Sequence, residues 1–162
     1  MPTKAETLKK INSMIEKVPV AMLVTRHSDG SLHSRPMTTQ EQEFDGDLWF
    51  YASRSSDVVQ DIEQNAEVNV AYSEDGDYVS LSGKATIVTD VQKKKELWHA
   101  ELKVWFDGKG PEDAEVVLIK VDAQYAQYWD TANGVIGNAI NVVKAVLSGD
   151  EESAIDTGKV RM

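Results

Sequence analysis

Leu8, Ile11 and Ile15 recur at helical spacing near the start of the chain, with Met14 beside them and lysines opposite, which predicts an amphipathic helix over about residues 3–17. Pro19 ends it. Val20-Ala21-Met22-Leu23-Val24 is a short continuous apolar run and reads as a strand buried on both faces. Asp29-Gly30 supplies the positive φ of a tight turn, and Leu32 to Thr39 returns as a second strand. Phe44-Asp45-Gly46-Asp47 repeats the turn chemistry before a third strand, Leu48 to Ala52, whose aromatics suit a half-buried sheet surface. Ser56 then stands as N-cap of a short helix over about 57–64, with Val58, Val59 and Ile62 as its buried stripe. Val68, Val70 and Tyr72 mark a fourth strand; Val79, Leu81, Gly83, Ala85 and Ile87 alternate clearly in a fifth. Asp90 is predicted to cap a helix carrying Trp98, Leu102 and Trp105 on one face, broken at Gly108 to Pro111. Val116–Val121 and Tyr125–Trp129 read as two strands turned around Asp122. Ile136, Ile140, Val143 and Leu147 stripe a final helix.

About seven strands joined mainly by hairpin turns, with three or four helices between them, favour a mainly β fold. An antiparallel barrel, closed or split, accommodates such connections; a parallel sheet needs helical crossovers throughout. At 162 residues the chain suits one domain, assigned to 1–147, with 148–162 as a polar, loose tail.

Charge removes several functions. Asp and Glu number 27 against 17 Lys and Arg, a net charge of −10, so neither nucleic acid nor an anionic membrane surface is an expected partner. Cysteine is absent, which excludes disulfides, thiolate catalysis and iron–sulfur clusters. The N-terminal stretch is charged and periodic, and no run reaches the roughly 20 apolar residues of a membrane span. The chain is read as cytoplasmic.

Candidate chemistry is sparse. His27 and His33 straddle the first hairpin near Asp29, but hairpin-flanking polar residues are usually solvated, and no metal site is assigned. No nucleophile elbow, P-loop or G-x-G-x-x-G occurs. Lys93-Lys94-Lys95 reads as a solvated helix face. Arg35 on a strand, with the Ser53-Arg54-Ser55-Ser56 turn at a helix start, is a candidate phosphate-binding pair: a guanidinium forks onto phosphate oxygens, and a helix start offers unpaired amides. Pro36 keeps Arg35 extended and marks an edge. The four tryptophans either fill the core, the reading preferred for Trp49 and Trp98, or line a slot for a flat conjugated ligand.

Taken in order, Asp29-Gly30-Ser31-Leu32-His33-Ser34-Arg35-Pro36-Met37, Leu48-Trp49-Phe50-Tyr51-Ala52-Ser53, Ser82-Gly83-Lys84-Ala85, Leu97-Trp98, Trp105-Phe106 and Tyr128-Trp129-Asp130 resemble the pyridoxamine 5′-phosphate oxidase-like split-barrel flavoproteins, in their general stress protein 26-like branch. The resemblance spans about residues 5–147. It implies a six-stranded antiparallel split β-barrel with flanking helices, a homodimer, and FMN in a groove between subunits. Ser34, Arg35, Pro36, Met37 and Thr38 would run along the flavin, with Arg35 on its phosphate. Tyr51, Ala52 and Ser53 would cradle it, Ser56 would hold the phosphate, and Trp105 and Trp129 would close the ring pocket. It further implies a flavin-dependent oxidoreductase linked to stress response, with no catalytic acid or base assigned. A non-catalytic flavin-binding module and a flavin-free barrel used for protein contacts stay open as alternatives. Asp57 and Val58 stand where the family usually has a basic residue. A carboxylate about 4–5 Å from a phosphate costs on the order of a few kcal/mol, which lowers the expected FMN affinity. Gln40 replaces the lysine of true pyridoxamine phosphate oxidases, so that activity is not assigned.

Overall fold

Helix α1 (Lys4–Ile15) starts from a reciprocal cap: the Thr3 hydroxyl accepts the Glu6 amide while the Glu6 carboxylate accepts the Thr3 amide. The chain is seen in a computed structural model that describes residues 3–131 and 155–161. β1 (Val20–Arg26), β2 (Leu32–Thr38), β3 (Asp47–Ser53), α2 (Asp57–Gln64), β4 (Glu67–Glu74), β5 (Asp77–Val88), α3 (Val91–Leu97), α4 (Leu102–Trp105), β6 (Val116–Thr131) and β7 (Ile155–Arg161) follow. The final helix expected at 136–147 lies outside the described residues.

Six strands pair antiparallel in the order β2-β1-β4-β5-β6-β3. The sheet curls until its two outer strands meet at one end, where Thr39 bridges Phe50 and the Gln40 amide donates to the Trp49 carbonyl at 3.0 Å. The mainly β split barrel expected from the hairpin turns is therefore present. Its interior is filled by the inward rows of the strands, among them Leu23, Phe50, Val70, Leu81, Ile119 and Val121, all fully buried. α1 packs on β5, and α2 on β1 and β5.

A second apolar cluster lies outside the barrel. Trp49 and Tyr51 of β3 and Val116 and Leu118 of β6 point away from the interior and are covered by Leu102 and Phe106. β3 is thus buried on both faces, not half-buried as its composition suggests. β1 is the reverse. Its apolar run predicts two covered faces, yet Val20 and Met22 are exposed, because no helix among the described residues covers the outer face there.

Four further expectations need correcting. The segment 116–131 is one bent strand: Ser82 pairs with Tyr125 but Gly83 with Ala123, so Gln124 is the extra residue of a bulge and Asp122 is not a turn. Gly83 is required there, since a Cβ would lie 1.9 Å from the Asp122 carbonyl oxygen. The helix after Asp90 is capped as predicted, the Asp90 carboxylate accepting the Lys93 amide, but it stops at Leu97. Trp98 takes extended geometry and packs edge-on against Tyr51 at 5.5 Å, separating α3 from α4. Lys94 is not solvated. Only 2% exposed, it donates to the carbonyls of Asp113 (3.1 Å) and Val116 (2.8 Å), while Lys93 lies 4.6 Å above the Trp49 ring. The segment read as a loose tail contains β7, which pairs with Tyr125–Thr131. β3 stops opposite Asp122, so the remainder of β6 offers an open ladder edge that β7 satisfies. Among the described residues no helix is long and apolar enough to cross a membrane.

Candidate functional site

The β1–β2 hairpin sets the first part of the site. Gly30 at φ 87° closes the turn, Asp29 accepts the Ser31 amide at 2.9 Å, and the His27 amide donates to Ser31 at 2.8 Å. Register then places Leu23 opposite Arg35 and Thr25 opposite His33. The inward row of β1 runs from apolar Ala21 and Leu23 to buried Thr25, so the barrel becomes polar toward this end.

Arg35 points into that polar end. Its Nη1 donates to Thr25 Oγ1 at 2.6 Å, and its Nη2 lies 3.4 Å from Asp61 Oδ2. Asp61, on α2 with a side chain 3% exposed, also accepts the Thr25 hydroxyl at 2.7 Å and meets His27 Nδ1 at 2.8 Å. Burial pushes its carboxyl up, but the Thr25 and His27 hydrogen bonds and the charges of His27 and Arg35 outweigh burial and hold it below the usual carboxylate range. Neither Asp61 nor Thr25 was expected at the site. The available signal was Asp61's place three residues after Val58, a polar residue on the buried stripe of an otherwise amphipathic helix.

The other residues of β2 remain accessible. Ser34, Pro36 and Thr38 are exposed and Met37 packs against the core. β3 is different. Tyr51 is buried in the outer cluster with its hydroxyl donating to the Lys94 carbonyl, and burial pushes its phenol up to about 12. Ala52 belongs to the barrel core. Ser53 is half-buried, and its carbonyl accepts both the Ser56 amide at 3.0 Å and the Ser56 hydroxyl at 2.6 Å. Ser56 occupies the N-cap position without making a side-chain cap, so the first amides of α2 carry none. Asp57 is exposed and Val58 is in the core. Arg54 pairs with Glu63 at 2.9 Å, and Ser55 donates to Glu115. Gln40 is buried, 3.2 Å from His99.

Trp105 and Trp129 lie on other elements. Trp105 stands on α4, 81% exposed beside Val104 at 83%. Trp129 is half-buried on β6, opposite Tyr78. Register aligns Met22, Ala71, Ser80 and Gln127 in one row across the outer sheet face, flanked by the exposed Tyr78 and Tyr125. Two concavities of the chain, about 130 Å³ against Tyr72 and Val79 and about 520 Å³ against Asp45, Asp47 and Asp122, include neither Arg35 nor the turn between β3 and α2.

Six curled antiparallel strands with a helix on the flank define a split-barrel protein. Residues 6–153 match the family model described as pyridoxamine 5′-phosphate oxidase like. The chain is 30% identical to General stress protein 26 of Bacillus subtilis over 123 residues, 72% of this chain and 83% of that one. It is 31% identical to protein bli-3 of Neurospora crassa over 156 residues, 89% of this chain and 74% of that one. The solved general stress FMN/FAD binding protein from Xanthomonas citri matches with a TM-score of 0.66 at 28% identity, over 78% of this chain and 89% of that one. The chain belongs to the pyridoxamine 5′-phosphate oxidase-like family, in its general stress protein 26 branch.

Proposed function

We propose that the chain binds FMN in a groove completed by a second copy of itself, and acts as a flavin-dependent oxidoreductase linked to stress response in the cytoplasm. Membership of the family and the FMN/FAD-binding relative support the ligand class. The observation that carries the reading is Arg35, whose half-buried guanidinium is already ordered by Thr25 and Asp61 beside α2, a helix whose first amides take no side-chain cap. A phosphate meeting such donors loses little entropy on binding. Ser34, Thr38 and Ser53 add polar groups within the two strands bridged by Thr39 and Phe50. Tyr51 and Ala52 are buried, so their part is to hold the β3 backbone in place.

A second copy is supported by the outer face. Val20, Met22, Tyr78 and Tyr125 share one exposed sheet surface with Trp129, and Trp105 and Val104 add a separate apolar patch. The flavin, when bound, supplies the hydride and electron chemistry; the chain supplies orientation and exclusion of water. A second reading, a flavin-free barrel used for protein contacts, is favoured by the exposed Asp57 carboxylate on the first turn of α2 and by the engagement of Arg54 with Glu63.

The visible spectrum of the purified chain, followed by an FMN fluorescence titration, separates these. Binding is expected, and Arg35→Ala should weaken it more than tenfold, since a charge-assisted phosphate contact is worth about 1.5–3 kcal/mol. Asp57→Lys should tighten it. A colourless protein that leaves FMN fluorescence unchanged supports the flavin-free barrel. A yellow protein that passes no electrons from NAD(P)H to any acceptor removes the oxidoreductase and leaves a binding module. Sedimentation velocity tests the second copy.

A further inference from the structure

The two oxygens of Asp61 face different neighbours. Oδ2 accepts from Thr25 at 2.7 Å and faces Arg35 at 3.4 Å, whereas Oδ1 faces His27, at 2.8 Å from Nδ1. The His27 ring lies flat on that of His33, centroids 4.8 Å apart and planes at 9°. Hairpin register explains the stacking: His27 closes the turn against Ser31, and His33 stands opposite Thr25, so the two histidines are diagonal neighbours on one face. One ring nitrogen from each histidine and one Asp61 oxygen all lie within 4.8 Å of one another.

We propose that His27, His33 and Asp61 form a binding site for a divalent transition-metal ion, with Zn²⁺ the best match. Two imidazoles and one carboxylate suit Zn²⁺, Ni²⁺ or Cu²⁺, and are a poor set for Mg²⁺ or Ca²⁺, which take oxygen ligands. Binding the ion replaces the hydrogen bond between His27 Nδ1 and Asp61 Oδ1, and the two donor atoms part slightly from their 2.8 Å separation to admit it. Thr25 and Arg35 then act as the outer support that orients a ligating carboxylate through its second oxygen. Tetrahedral zinc with ligands at about 2.0–2.1 Å places its donors roughly 3.3 Å apart. His33 supplies the closing movement: it is exposed on the outermost strand, with the Ser31 hydroxyl 2.9 Å from its Nε2. Solvent reaches the half-exposed His27, so a fourth position is open to water or an anion. The guanidinium of Arg35 on the far oxygen opposes the ion's charge, which sets the expected affinity in the micromolar range and not tighter.

The site does not depend on flavin binding. Its test is a calorimetric titration of the full, tag-free, chelator-stripped chain with ZnCl₂ alone. One equivalent should bind, and His33→Ala, at an exposed position, should lower the affinity at least tenfold while circular dichroism stays native. Asp61→Asn should do the same. Co²⁺ should give the intense visible bands of a four-coordinate site, absent in His27→Ala/His33→Ala. The net charge of −10 provides the rival explanation, diffuse attraction to surface carboxylates. Zinc that is displaced by excess Mg²⁺, or that binds the double variant as strongly as the parent chain, overturns the site.

Discussion

β1 and β3 exchange the environments that their compositions suggest. β1 opens as a pure apolar run from Val20 to Val24, yet Val20 and Met22 face outward into water; β3 carries Trp49 and Tyr51 beside Asp47, yet both its faces are covered. The difference lies in what packs outside the barrel. α3 and α4 close over β3 and build a second core on it, whereas the outer face of β1 has no helix on it among the described residues. The flank with β3 is therefore sealed structure. The flank with β1 and β2 presents Arg35, His27, His33 and an apolar outer row to whatever binds there. Residues expected to line one cofactor groove divide accordingly: β2 keeps its side chains accessible, while Tyr51 and Ala52 serve the two cores.

This contrast breaks most sharply at Phe50, fully buried where the barrel closes. Phe50→Ala should cost about 3–5 kcal/mol in denaturant unfolding. Lys94→Met comes next. It leaves the carbonyls of Asp113 and Val116 without their charged donor and should cost about 1–3 kcal/mol, against nothing measurable for a solvated helix face. Alkaline titration sharpens the sealed flank further. Burial pushes the phenols of Tyr51 and Tyr72 up to about 12, from an ordinary value near 10. A group raised by folding gives stability that is complete below its unfolded value, so their contribution should be intact below about pH 10 and lost as pH rises toward 12. Tyr51→Phe should remove one of these two late phenolate steps and flatten alkaline unfolding. The smallest effect belongs to the open flank: Leu32→Ser, at a residue 67% exposed, should stay within about 0.5 kcal/mol.

Much of the fold was legible along the chain. The alternation of Val79, Leu81, Gly83 and Ala85 placed four residues on one face without reference to any partner. Asp29-Gly30 and Asp45-Gly46 stand at the turns they signal, with Gly30 and Gly46 both at positive φ. Arg35 and the serine turn were readable as a candidate phosphate pair, because donors near a helix start are a local feature. Asp61 was not, although it touches Thr25, His27 and Arg35: its meaning comes from strands 26 to 36 residues away.

Periodicity, turn residues and caps act over a few neighbours, and so strands β1 to β5, the hairpin turns at Gly30 and Gly76, the capped start of α3 and the absence of thiol chemistry were determined by the sequence by itself. Only the tertiary structure decided that Lys94 is buried, that Gly83 must yield its Cβ space to Asp122, that Tyr51 belongs to a core, and that Arg35, Asp61 and two histidines meet. Each of those outcomes depends on which face of one element another element covers, and that information is held by packing between distant segments, where no local window reaches.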